Sequence, residues 1–140
     1  MSDIPVISIV DDDDSVREAL ASLMRSAGYI PKVFSSAGDF LNSEYFDETG
    51  CLILDVQMPG MTGIELQQHL LASKRTVPII FISAHDDAQA RVRALEAGAV
   101  VFLKKPFSDD ALLEAINSCF ATETGGDDDR RDPGSTSGSA

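Results

Sequence analysis

The sequence predicts an α/β fold, a parallel sheet with helices on both faces, and three observations carry that expectation. Five short apolar runs are spread along the chain: Val6-Ile7-Ser8-Ile9-Val10, Ile30 to Phe34, Leu52-Ile53-Leu54, Val77 to Ile82 and Val100 to Leu103. Each is followed by a stretch whose apolar residues recur at helical spacing. The runs are also apolar at nearly every position instead of alternating with polar residues. Such strands are buried on both faces, which a parallel sheet between two helical layers provides.

Taken in order, the first run is β-branched and lies between Pro5 and the acidic series Asp11 to Asp14. Asp14 or Ser15 then starts a helix carrying Val16, Leu20, Leu23, Met24 and Ala27, and Gly28 stops it as a residue suited to positive φ. The second strand leads to a short helix from Ser36 to about Leu41, with Ser36 three residues ahead of Asp39 as a cap-like pair. After the central strand, Thr62-Gly63-Ile64-Glu65 has the spacing of a capping box and launches a helix that includes Ile64, Leu70 and Leu71. The fourth strand ends at Ser83-Ala84, and Asp86 and Asp87 open a helix through Leu95, stopped by Gly98. Lys104-Lys105-Pro106 closes the fifth strand. Ser108 caps a last helix with Leu112, Ile116, Cys119 and Phe120. Residues 1–120 read as one domain and 121–140, rich in Gly, Ser and Asp, as a flexible tail or linker.

Bulk properties narrow the function. A chain of 140 residues with 44% hydrophobic content supports one domain with a core. Its net charge is −12, of which −9 lies in the first 120 residues, and that excludes a phosphate-backbone surface in this segment. Cys51 and Cys119 stand alone, without the spacing of a zinc site, and read as small buried hydrophobes. The first five residues are acidic and too short for a signal peptide, and no run is long enough to span a membrane. A reduced cytoplasmic protein is expected.

The polar residues fall in one place. Asp11 and Asp12 follow strand 1, Asp55 ends strand 3, Ser83 ends strand 4 and Lys105 follows strand 5. If the strands are parallel, all five converge at the C-terminal edge, where open α/β sheets bind ligands. Any one of these acids alone is most simply a helix cap. Together they make a site for a small hard cation, and Mg²⁺ suits a few carboxylates, waters and a phosphoryl oxygen. No His or Cys cluster offers a softer metal a place. A carboxylate can attack phosphorus to give an aspartyl phosphate, given positioning and neutralising charge. Lys105 and the cation would supply the charge, and Ser83 a hydroxyl donor.

Val10-Asp11-Asp12, Leu54-Asp55 with Met58-Pro59-Gly60 and Gly63, Ser83-Ala84, Phe102 and Lys105-Pro106-Phe107 resemble, in order, the motifs of the response regulator receiver domain of two-component systems. The likeness covers residues 5–120 and is nearest to FixJ-type receivers. It implies a flavodoxin-like (βα)5 doubly wound parallel sheet of strand order 2-1-3-4-5. It implies that Asp55 accepts a phosphoryl group from a sensor histidine kinase. Asp12, Asp55 and the backbone carbonyl of Gln57 would hold Mg²⁺, with Asp11 acting through water. Ser83 and Lys105 would bind the phosphoryl oxygens, and the Lys105–Pro106 bond would be cis.

The resemblance also implies an output. Ser83 moves toward the phosphate, Phe102 turns into the space vacated, and the helix 4–strand 5–helix 5 face changes its partner, with a phosphorylation-dependent homodimer as one result. Gln57 and His85, two residues past Asp55 and Ser83, would tune phosphoryl lifetime. Phe102 stands where tyrosine is frequent and lacks the hydroxyl, so its coupling would rest on packing. Read without the resemblance, Phe102 is a core aromatic and His85 a loop histidine. Two other functions fit parts of the pattern. One is a receiver fold kept only for docking. The other is a phosphohydrolase with an aspartate nucleophile, which would want an acid where Gln57 stands.

Overall fold

The computed structural model describes residues 4–44, 46–85 and 87–125, with side chains to 120. Five strands, β1 (Val6–Val10), β2 (Ile30–Phe34), β3 (Thr49–Asp55), β4 (Ile79–Ser83) and β5 (Val101–Lys104), form one parallel sheet in the order β2-β1-β3-β4-β5. Helices α1 (Asp14–Ser26), α2 (Ala37–Leu41), α3 (Gly63–Ala72), α4 (Ala88–Glu96) and α5 (Asp109–Gly125) fill the connections. The expected doubly wound order is the one observed.

The two-residue period of β3 splits the core. Leu52 and Leu54 join Phe40, Leu66, Leu70, Phe81, Ala94 and Phe102 in a cluster that takes in α2, α3 and α4. Cys51 and Ile53 point the other way, into Leu20, Met24, Ile80, Ile82, Leu112 and Ile116 with α1 and α5. Both faces of the strand are therefore buried, which is why its sequence does not alternate. A central strand held from both sides is a rigid support for whatever stands at its end.

Several boundaries differ from the sequence expectation for physical reasons. The cap of α1 is Asp13, whose carboxylate accepts the Ser15 and Val16 N–H groups, not Asp14 or Ser15. Strand β3 begins at Thr49, three residues early, because Thr49 pairs with Val6 and its hydroxyl bonds the buried Ser8 hydroxyl at 2.6 Å. Strand β4 starts two residues later than expected and ends at Ser83 as expected, and β5 starts one residue later. Asp87 caps α4 through the Ala90 N–H, and Asp86 lies outside the described residues. Helix α5 runs to Gly125, five residues past the boundary expected at 120, since no breaker interrupts Ala121 to Thr124. The capping box of Thr62 and Glu65, the Ser108 cap and the positive φ of Gly28 and Gly98 are all as the sequence predicts.

Candidate functional site

Parallel strands carry the five expected residues to one edge. Asp55 lies in register with Ile82, so Ser83 stands one residue further along the neighbouring strand, paired with Lys104. The Lys105 N–H donates to the Ser83 carbonyl at 2.7 Å, which closes the end of β4 against β5. The Lys105–Pro106 peptide bond is cis. Lys105 Nζ reaches across the sheet end to Asp11 Oδ2 at 3.2 Å.

Asp11 is fully buried and fully engaged. Its N–H donates to the Phe34 carbonyl, its Oδ1 accepts the Asp13 N–H at 2.9 Å, and its Oδ2 takes the lysine. Its carbonyl accepts from Arg17 Nη1 at 2.7 Å, and the same guanidinium pairs with Asp14. Asp12 is exposed, and no donor bonds its carboxylate among the described residues. Asp55 is only 5% exposed, and its Oδ1 accepts the Gln57 N–H at 3.2 Å. One carboxylate oxygen from each of Asp11, Asp12 and Asp55 lies within 4.8 Å of the others.

Three carboxylates at that spacing against one lysine leave an unbalanced negative charge. Burial, and next the charge of Asp11, push the Asp55 carboxyl up to about 6. Lys105 and the Gln57 N–H act in the opposite direction but do not cancel the rise. An all-oxygen donor set short of positive charge fits a hard divalent cation, so the residues present suit Mg²⁺.

The strain has a sign that can be measured. The folded chain holds the Asp55 proton more tightly than the unfolded chain does. Stability from this group is thus present below pH 3.8, the ordinary carboxyl value, and lost as pH rises through about 6. A two-unit shift corresponds to about 3 kcal/mol at most, and water at the site edge reduces that to about 1–2 kcal/mol. Asp55→Asn is expected to raise metal-free stability by that amount at pH 7.5 and by nothing below pH 4, in urea denaturation. Equal stabilisation at both pH values would remove the cost of the buried, ionised Asp55 carboxylate as the cause.

The Ser83 side chain is buried, and its hydroxyl is turned into its own loop. It donates to the His85 carbonyl at 3.0 Å and accepts the His85 N–H at 3.1 Å. The imidazole of His85 is on an exposed residue, as is Gln57, and both flank the site. Phe102 is 4% exposed, stacked on Phe81 with ring centroids 6.1 Å apart. The structure thus brings Asp11, Asp12, Asp55 and Lys105 together and leaves Ser83 at the same edge with its hydroxyl occupied.

Of two residues that shape this edge, Arg17 escaped the sequence reading and Gly63 was read only as part of the capping box and the receiver motif. Arg17 fastens the carbonyl of Asp11, and its only trace in the sequence is its position one turn into α1. Gly63 starts α3 so close to β3 that an added Cβ would lie 2.3 Å from the Asp55 carbonyl oxygen. Its signal was a glycine directly after an N-cap threonine, where nothing about the cap requires one.

A family model described as the response regulator receiver domain matches residues 7–117. The chain belongs to this family. The response regulator protein TodT of Pseudomonas putida is 50% identical over 113 residues, which are 81% of this receiver and 50% of TodT. The transcriptional regulatory protein FixJ of Bradyrhizobium diazoefficiens is 40% identical over 112 residues, 80% of the receiver and 55% of FixJ. Among solved structures, the response regulator StyR superposes with a TM-score of 0.81 at 47% identity, covering 89% of the receiver and 63% of the StyR chain. FixJ-N gives 0.75 at 38% identity, covering 85% and 94%. The receiver spans about half the length of the curated relatives it matches. No helix among the described residues is long and apolar enough to cross a membrane.

Proposed function

We propose that this receiver accepts a phosphoryl group on Asp55 from the phosphohistidine of a sensor kinase. The observation that carries the reading is the acidic triad with Lys105 at the end of a strand buried on both faces. An Asp55 oxygen attacks phosphorus, the bond from phosphorus to the imidazole nitrogen breaks, and the histidine leaves with the electron pair. Strand β3 fixes the line of attack, so little reorganisation is left for the chemical step. Lys105 balances charge on the phosphoryl oxygens once it exchanges Asp11 for them. Ser83 gives up its bond to His85 and donates to another phosphoryl oxygen.

Asp12, Asp55 and the carbonyl of Gln57 would hold Mg²⁺, with Asp11 acting through water. When bound, the ion supplies positive charge to the transferring group. Gln57 and His85 border the approach of water and set how long the phosphoryl group lasts. The chain catalyses only its own phosphorylation and dephosphorylation, in the cytoplasm. TodT and TmoT are named response regulators and FixJ a transcriptional regulatory protein, so control of transcription is the output this reading favours. Intact-mass measurement with a small acyl phosphate tests the function. One phosphoryl group is gained with Mg²⁺ present, and none is gained with a chelator.

The output runs through the α4–β5–α5 face, with Phe102 as its switch aromatic. That face presents Val92, 51% exposed, with the exposed Leu95 three residues on along α4. Apolar side chains gathered there favour a phosphorylation-dependent homodimer. Sedimentation is expected to show self-association of the phosphorylated receiver and its loss in Val92→Asp. An unchanged monomer on phosphorylation would remove the dimer from the proposal.

A further inference from the structure

Phe102 lacks the hydroxyl through which a tyrosine could be held, yet the structure gives its ring a polar partner. Arg91, on α4, places its guanidinium carbon 5.0 Å from the centroid of the Phe102 ring. Its Nη1 also donates to the Phe102 carbonyl oxygen at 3.5 Å, a long bond but one aimed at the same residue. A planar guanidinium can cover a ring and reach a carbonyl at once, which an ammonium cannot. Among the described residues nothing draws Arg91 elsewhere. Asp87, one turn earlier, is occupied capping α4, and Arg91 forms no salt bridge among the described residues.

The ring and the hydroxyl are also out of step. Phe102 is already inward against Phe81, while Ser83 still bonds its own loop. A vacancy left by Ser83 therefore does not account for the position of the ring. We propose that Arg91 is a positioning residue that clamps Phe102 inward from the α4 side and so ties α4 to β5 through one side chain. Helix α4 then cannot slide along β5 without taking the cation off the ring. The inference leans on the proposed function only in treating Phe102 as part of the output. The position of the ring is measured without any phosphoryl group.

Fluorine NMR of the receiver labelled with fluorophenylalanine tests it. The seven phenylalanines give separate probes, and Phe102→Leu identifies the resonance of interest. Arg91→Ala is expected to move that resonance toward the solvent-exposed position, with the inward population falling about two- to fivefold relative to the outward one. Arg91→Lys restores only part of the effect, because it keeps a cation for the ring but cannot reach the carbonyl at the same time. Arg91→Met keeps the packing of the stem, and with it the fold, but behaves as alanine does because it carries no charge. A resonance unmoved in Arg91→Ala, or held by Arg91→Met as firmly as by arginine, overturns the proposal. Failure of phosphoryl uptake in the mass measurement would instead strike the functional reading and leave the clamp standing.

Discussion

Asp55→Asn is expected to reduce phosphoryl uptake to background in the presence of Mg²⁺ and a small acyl phosphate. Of the three carboxylates at the site, only Asp55 combines burial with an oxygen left open. Asp11 has both oxygens bonded, one by the Asp13 N–H and one by Lys105, so attack from it would have to break contacts that hold the site together. Asp12 is exposed, and nothing among the described residues fixes its direction. Asp55 stands on a strand packed from both sides, with Oδ1 steadied by the Gln57 N–H. The amide of asparagine has nearly the same shape but no anionic oxygen to attack phosphorus. Loss of the fold is not expected to contribute, because removing this charge should stabilise the metal-free chain. Asp11→Asn and Asp12→Asn are expected to slow uptake while still allowing it. If Asp55→Asn gains the group as the wild type does, the nucleophile is another residue.

Gly63→Ala should be the most damaging small substitution in the domain. Its Cβ would sit 2.3 Å from the Asp55 carbonyl oxygen and 3.1 Å from the Val56 Cα, both backbone atoms that cannot rotate aside. The Gly63 N–H also donates to the Val56 carbonyl at 3.0 Å, so moving α3 away stretches that bond. Either the helix or the end of β3 must shift. Overpacking against backbone of this kind costs about 3 kcal/mol or more. Because the strained strand carries Asp55, phosphoryl uptake should slow as well as stability fall. Gly38→Ala is the contrast. Its Cβ meets only Ser36 Oγ at 3.9 Å, so the change is neutral or stabilising by about 0.5–1 kcal/mol. Urea denaturation of the two variants checks both, and a Gly63→Ala midpoint equal to that of the wild type would refute the steric argument.

What could be read from the sequence was whatever is local or periodic. Unbroken apolar runs such as Leu52 to Leu54 and Ile79 to Ile82 marked strands buried on both faces, and that implied parallel pairing. Parallel pairing then placed the acids, Ser83 and the lysine at one edge before any distance was known. What stayed hidden depends on contacts between distant segments. The thiols of Cys51 and Cys119 lie 3.7 Å apart across 68 residues, and no spacing could announce it. Thr49 joins β3 because Val6 is opposite and the Ser8 hydroxyl is within reach of its own, and Asp13 caps α1 although Asp14 and Ser15 are equally good cap residues. The closeness of Gly63 to Asp55 and the arch of Arg91 over Phe102 arise only once two elements have packed.

The last described helix has a consequence for traffic around the molecule. Near its C-terminal end, Phe120 stacks on Tyr29 and leans on Gly50, and Asn117 takes the Tyr29 hydroxyl. Gly50 is five residues before Asp55 on β3, so this end of α5 is moored some ~16 Å from the reactive carboxylate, at the opposite rim of the sheet. The described end of α5 therefore lies on the far side from the rim at which, on the proposed function, a phosphoryl donor docks. A donor docked there would leave the Tyr29, Gly50 and Phe120 mooring untouched.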